Sequence, residues 1–243
     1  MSRSSWETRI ARAGELAAVH ASARDVLCFY GEIARVQSAL CLRLKVAPRA
    51  LGDELVGCEF PEFVRASLPH ARAQLREEGE NVLAAGLETW HRLLIAEDTF
   101  FARAFLQPWA EANYREPRAE NNGLAEFCPC CGRAPQASAL REESHGARRT
   151  LVCSLCQFEW PFSRILCPSC GEDRAERLPV YQADQFPAMR AEACDTCHAY
   201  LLCADLTKDG RAVPEVDCLA ALAFHLRVRE SGYQARQASL MGV

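Results

Sequence analysis

No run of apolar residues in this 243-residue chain is long enough to cross a bilayer as a helix, which takes about 20, so no membrane insertion is expected. The opening stretch, MSRSSWETRIARAGELAAVH, also lacks the unbroken apolar core of a secretory signal. The expected location is therefore cytoplasmic, where thiols stay reduced and fourteen cysteines would not form a disulfide framework. There is no low-complexity tract, no Walker loop, no GxGxxG after a strand and no Ser/His/Asp set. Adjacent acids such as Glu142 and Glu143 read as solvated surface, not as a catalytic pair. Basic residues are in slight deficit, with 28 Lys and Arg against 32 Asp and Glu, a net charge of −4. Over residues 124–214 the counts are 10 and 12, and only Ala147–Arg148–Arg149 approaches a basic cluster. Phosphate neutralisation supplies most nucleic-acid affinity, so no nucleic-acid partner is expected.

What is present is unevenly distributed. The hydrophobic fraction, 49%, is that of an ordinary globular protein with room for one or two domains. Only Cys28, Cys41 and Cys58 fall in the first 127 residues, and they read as small core residues. The other eleven cysteines follow. The first part carries helical periodicity. Trp6, Ile10, Ala13 and Leu16 share one face, with Ser4 or Ser5 as N-cap. A second helix is predicted over about Ala23–Lys45, ending before Pro48. Pro61 to Pro69 reads as a break or short helix, a polar helix closes near Gly86, and Leu87–Phe105 carries a strongly apolar face. Pro108, Pro117 and REPRAENNG read as a linker. Beyond it come β-type stretches, RRTLVC and FEWPFSRILC, and then a terminal helix, EVDCLAALAFHLRVRESGY, with Val216, Leu219, Leu222 and Leu226 on one face.

One motif recurs four times. The CxxC pairs are Cys128/Cys131, Cys153/Cys156, Cys167/Cys170 and Cys194/Cys197. Two thiolates spaced in this way grip one metal through a tight turn, and two such turns complete a tetrahedral four-cysteine site. Gly132 and Gly171 follow the first and third pairs, where a left-handed backbone is often required, and Gln157 and His198 stand at the equivalent places in the other two. Long gaps between pairs one and two and between pairs three and four, against a short gap in the middle, favour two consecutive ribbons. Interleaved pairing is the alternative. Thiolate tetrahedra suit iron and zinc alike. A closed four-thiolate site leaves no position for substrate, so the chain does not read as an enzyme.

CDTCH at 194–198 also matches the attachment signal of a c-type haem. That reading leaves CPSC at 167–170 without its partner pair and needs a distal ligand and an export signal, so the metal knuckle is preferred. Trp160 and Phe162 read as an apolar cover for a metal site. Cys130 is expected to flank its site, and Cys203 and Cys218 to pack.

The segments FCPCCGRAP, LVCSLCQFEWPFSRILCPSCGE, AEACDTCHAYL and VDCLAALAFHLRVRESGY closely resemble the FdhE family of formate dehydrogenase accessory proteins, over about residues 100–235. The order and gaps of the knuckles carry the likeness, together with Glu159–Trp160, Glu192, Tyr200 and Gly232–Tyr233. The chain departs from the family pattern at Leu202, where a basic residue is common, and at Cys218 and His225, where acids are expected. The resemblance implies a multidomain α plus small β protein: an all-α N-terminal domain (1–123) and two rubredoxin-like or zinc-ribbon four-cysteine metal modules (124–165 and 166–243), the second ending in the C-terminal helix. It further implies two metal ions, iron or zinc, on the eight knuckle cysteines. The partner it implies is the catalytic subunit of formate dehydrogenase, bound in the cytoplasm before export. A rubredoxin-like electron carrier and a zinc-ribbon nucleic-acid-binding protein are the alternatives.

Overall fold

The computed structural model describes residues 3–46, 50–97, 99–114, 116–117, 124–144 and 146–242. Six α-helices come first: α1 (Arg3–Val19), α2 (Arg24–Val46), α3 (Asp53–Ser67), α4 (Ala73–Ala84), α5 (Leu87–Ala96) and α6 (Phe100–Asn113). Ile33, Leu40 and Leu44 of α2 meet Phe60 and Phe63 of α3 and Phe101 and Phe105 of α6 in a buried core. The Phe60 and Phe63 rings stand edge-on to Phe105, at 5.2 and 5.8 Å between centroids. Such pairs add to the area they bury.

Several local expectations give way to packing. Both Ser4 and Ser5 lie inside α1, which is described from Arg3. Pro61 lies inside α3 and Pro108 inside α6. An interior proline costs roughly 3 kcal/mol, but full burial of a Phe returns about 1.5–3 kcal/mol, and each proline shares its helix with two such buried side chains. The apolar stretch 87–105 is two helices, because Glu97 turns left-handed (φ 54°) after α5 and Thr99 caps α6 by accepting from Ala102 N at 3.1 Å. Cys41 is buried, whereas Cys28 and Cys58 are exposed. Most of the REPRAENNG linker lies outside the described residues.

The rest is one seven-stranded sheet built from two copies of one plan. β1 (Pro135–Glu143), β2 (Gly146–Cys153) and β3 (Glu159–Pro161) form an antiparallel meander, and β4 (Val180–Gln182), β5 (Met189–Ala193) and β6 (Ala199–Asp205) form a second. The strand order β3-β2-β1-β6-β5-β4 joins the first strand of one copy to the last of the other. That joint is parallel, from Ala137 opposite Leu202 to Leu140 opposite Asp205. FEWPFSRILC contributes only the three residues of β3.

The terminal helix is two helices, α7 (Pro214–Ala220) and α8 (Leu222–Glu230), broken at Ala221, before β7 (Gln234–Ala235) pairs with β6. Val216 and Leu219 of α7 enter a core with Trp6, Leu16, Leu27 and Tyr30 of the helical part. In α8 the buried residues are Phe224, His225 and Val228, while Leu226 is exposed. Buried ion pairs tie the ends of the chain together. Arg9 reaches Glu111 at 2.6 Å and Glu215 at 2.5 Å, and Arg12 reaches Asp217 at 2.6 Å and Asp209 at 2.7 Å. No helix among the described residues is long and apolar enough to cross a membrane.

Candidate metal centres

The CxxC turns lead into β1, join β2 to β3, lie between β3 and β4, and join β5 to β6, and the four share one backbone. The first cysteine's N–H donates to the carbonyl five residues on: Cys128 to Arg133 (2.8 Å), Cys153 to Phe158 (3.0 Å), Cys167 to Glu172 (2.8 Å) and Cys194 to Ala199 (3.0 Å). Closing that loop requires a left-handed residue after the second cysteine. Gly132 (φ 78°), Gln157 (56°), Gly171 (73°) and His198 (56°) all supply it. Gln157 and His198 adopt this conformation without glycine's freedom, at a cost of about 1–2 kcal/mol each, so the surrounding turn imposes it. Amides also point inward, with Leu155 N and Ser169 N each 3.3 Å from the Sγ of Cys153 and Cys167.

The eight sulfurs gather in sequence order. Cys128, Cys131, Cys153 and Cys156 form one cluster and Cys167, Cys170, Cys194 and Cys197 the other, the sulfurs in each lying within 4.8 Å of one another. Nearest cross-knuckle contacts are 3.3 Å (Cys131–Cys153) and 3.5 Å (Cys128–Cys156) in the first, and 3.7 Å (Cys167–Cys197 and Cys170–Cys194) in the second. A disulfide would need about 2.05 Å. A tetrahedron with metal–sulfur bonds near 2.3 Å puts sulfurs about 3.8 Å apart. In the first cluster, hydrogen bonds among its thiols hold Cys128 low and push Cys153 and Cys156 up. A divalent ion would let all four ionise together. Both donor sets could hold a metal, and their geometry also answers the CDTCH ambiguity, because Cys194 and Cys197 face two other sulfurs. Exposed His198 instead lies beside Tyr233, at 5.9 Å between ring centroids.

The surroundings differ sharply. Around the first cluster Cys128, Cys153 and Cys156 are buried in an apolar core with Trp160, Phe162 and Leu201, closed on the helical side by Trp109 and Ala110 of α6. Trp160 is anchored by its Nε1–H to Ala125 O at 2.8 Å, and Gln107 of α6 donates to Ser154 O at 3.1 Å inside the second knuckle. Cys130 lies in this same core, 1% exposed, outside the sulfur cluster. In the second cluster Cys167 and Cys194 are buried but Cys170 and Cys197 are exposed. Its loops are fixed by polar contacts, Thr196 Oγ1 donating to Glu172 Oε2 at 2.6 Å and Tyr233 to Asp195 at 2.6 Å.

Between the clusters lies a buried ion network that motif reading of the chain did not find. Arg149 on β2 pairs with Glu192 on β5 at 2.7 Å and donates to the carbonyls of Ser163 and Leu166, just before the third knuckle. Glu192 also receives Arg190 (2.5 Å) and Ser138 (2.8 Å). Burial would raise the Glu192 carboxyl, but the Arg149 and Arg190 charges outweigh it and hold it down at about 2. Arg149 therefore leaves the basic cluster predicted at 147–149. The departures at Leu202, Cys218 and His225 are all buried, so they alter packing and not an outer surface. His225 Nδ1 lies 2.8 Å from the Tyr200 hydroxyl.

Fold and site together define a class: a helical domain carrying a tandem pair of thiolate-knuckle ribbons fused into one sheet. Known proteins share it. Residues 127–164 match the family model for the FdhE central domain, and residues 165–241 that for the FdhE C-terminal domain. An FdhE homologue of Pseudomonas aeruginosa is 37% identical over 194 residues, covering 75% of this chain and 63% of the relative. One from Aquifex aeolicus is 28% identical over 145 residues, covering 59% and 51%. The crystal structure of the FdhE protein from Pseudomonas aeruginosa superposes over 100% of this chain and 97% of that one, with a TM-score of 0.78 at 26% identity. Residues 127–241 thus match the central and C-terminal domains of the FdhE family. The chain spans 51–63% of the length of these curated relatives.

Proposed function

We propose that this protein is a non-enzymatic accessory factor for maturation of respiratory formate dehydrogenase, binding the catalytic subunit in the cytoplasm before its export. The family match over residues 127–241 carries this reading. The eight knuckle cysteines would hold two metal ions, iron or zinc, each closing one ribbon, so that ribbons and helices present a rigid surface to the client. Four thiolates fill each tetrahedron, so neither resting site offers an open position to a substrate. Tagged protein purified from its own host under formate-respiring growth is expected to bring down the formate dehydrogenase catalytic subunit, identified by mass spectrometry. A deletion strain with full formate dehydrogenase activity would sink the proposal.

An electron carrier is the second reading, favoured by the two exposed sulfur ligands of the second cluster. It requires iron that reduces and reoxidises reversibly, and a colourless zinc protein ends it. Nucleic-acid binding loses ground now that Arg149 is buried and paired.

A further inference from the structure

The two clusters share a backbone and a donor set, yet differ in access. A metal leaves a thiolate cage when one sulfur swings away and an incoming ligand takes its place. That requires a sulfur with room to move and a path from solvent. In the first cluster Cys156 is 2% exposed and Cys153 0%, beneath Trp160 at 1%, and Cys131 is half-buried with no fully exposed partner across the knuckles. In the second, each knuckle offers one exposed cysteine, Cys170 from the third and Cys197 from the fourth. No buried apolar cluster among the described residues contains any of its four cysteines.

We infer that the second cluster is an exchange site, where a soft anionic ligand such as an incoming thiolate displaces Cys170 or Cys197 from the metal, while the first cluster is a permanent staple. This rests on reading both clusters as metal sites. During exchange the ion keeps its charge and four ligands, one protein sulfur being replaced by the incoming donor. Such a site would release its ion to a chelator, or accept a ligand from a partner, without the fold opening.

The test uses the full chain loaded with zinc, challenged with excess 4-(2-pyridylazo)resorcinol while N-ethylmaleimide labelling is mapped by peptide mass spectrometry. One of two equivalents should leave about tenfold faster than the other. Labelling should appear at Cys170 and Cys197 before Cys153 or Cys156. A Cys170→Ser chain should hold one equivalent and lose the fast phase. Should that variant fail to fold, the labelling order of the unaltered chain decides alone. Release in a single phase, or first labelling in the buried cluster, overturns the exchange site and leaves the metal reading standing. A chain that takes up no zinc overturns both.

Discussion

The two cysteine clusters are nearly the same object locally and different objects globally. Both close on paired turns with the same hydrogen bond from the first cysteine and the same left-handed residue after the second. Around the first, α6, Trp160 and Phe162 form an apolar shell that leaves only Cys131 half-buried. Around the second, two sulfurs face water and the loops are held by polar contacts. The knuckle turn therefore sets where the sulfurs stand, while neighbouring elements set their exposure, because burial depends on what the rest of the chain lays over the turn.

The contrast can be broken hardest at the ligands. Cys153→Ser is expected to leave the chain unfolded. On the proposed metal reading it removes a ligand from a site whose closure would be coupled to folding, inside a core shared with α6, and total stability of a domain is only about 5–15 kcal/mol. Cys197→Ser should keep the helical fold and lose one metal equivalent, read by circular dichroism and elemental analysis. Equal unfolding of both would erase the distinction drawn between the clusters.

The next largest effect is expected at the joint between them. Arg149→Met strips one partner from the buried Glu192 and leaves two carbonyls without their donor. Removing one side of a buried pair costs about 3–5 kcal/mol, and denaturant unfolding should show a loss in that range. A loss under about 1 kcal/mol would mean that Arg190 alone suffices for Glu192.

Gly79→Ala sharpens the comparison from outside the ribbons. A Cβ there would fall 2.6 Å from Leu68 Cδ2 and 2.8 Å from Phe101 Cε2. Overpacking of this kind costs about 1–3 kcal/mol, and thermal unfolding should shift accordingly while both metals stay bound. A neutral result would show that this helical core is looser than the first ribbon core.

The most gradual effect is a pH dependence. Burial, aided by the Arg229 charge, lowers His225 to about 4 from an ordinary 6.5. The unfolded chain then takes up the proton first on acidification. Stability from this group is complete above about 6.5 and lost at about 1.4 kcal/mol per pH unit as pH falls toward 4. His225→Gln should flatten that slope in denaturant titrations, and an unchanged slope would clear His225 of the effect.

Much of the architecture was legible along the chain. The switch from helical periodicity to paired cysteines locates the change from helices to ribbons, and the unequal gaps between knuckles anticipate clusters in sequence order. Other features were not. Pro61 and Pro108 signalled breaks that aromatic burial in the same helices overrode. Leu226 belonged to an apolar period that Ala221 interrupts, turning Phe224 and Val228 inward instead.

By itself, then, the sequence determined the donor sets and their turns, because a CxxC knuckle is made by hydrogen bonds within a few residues and needs nothing distant. Only the tertiary structure decided that the two ribbons share one sheet through β1 and β6, that Arg149 and Glu192 join them, and that one cluster is largely covered while the other is open. Those outcomes rest on contacts between residues tens of positions apart, and no local pattern records which surface will cover which.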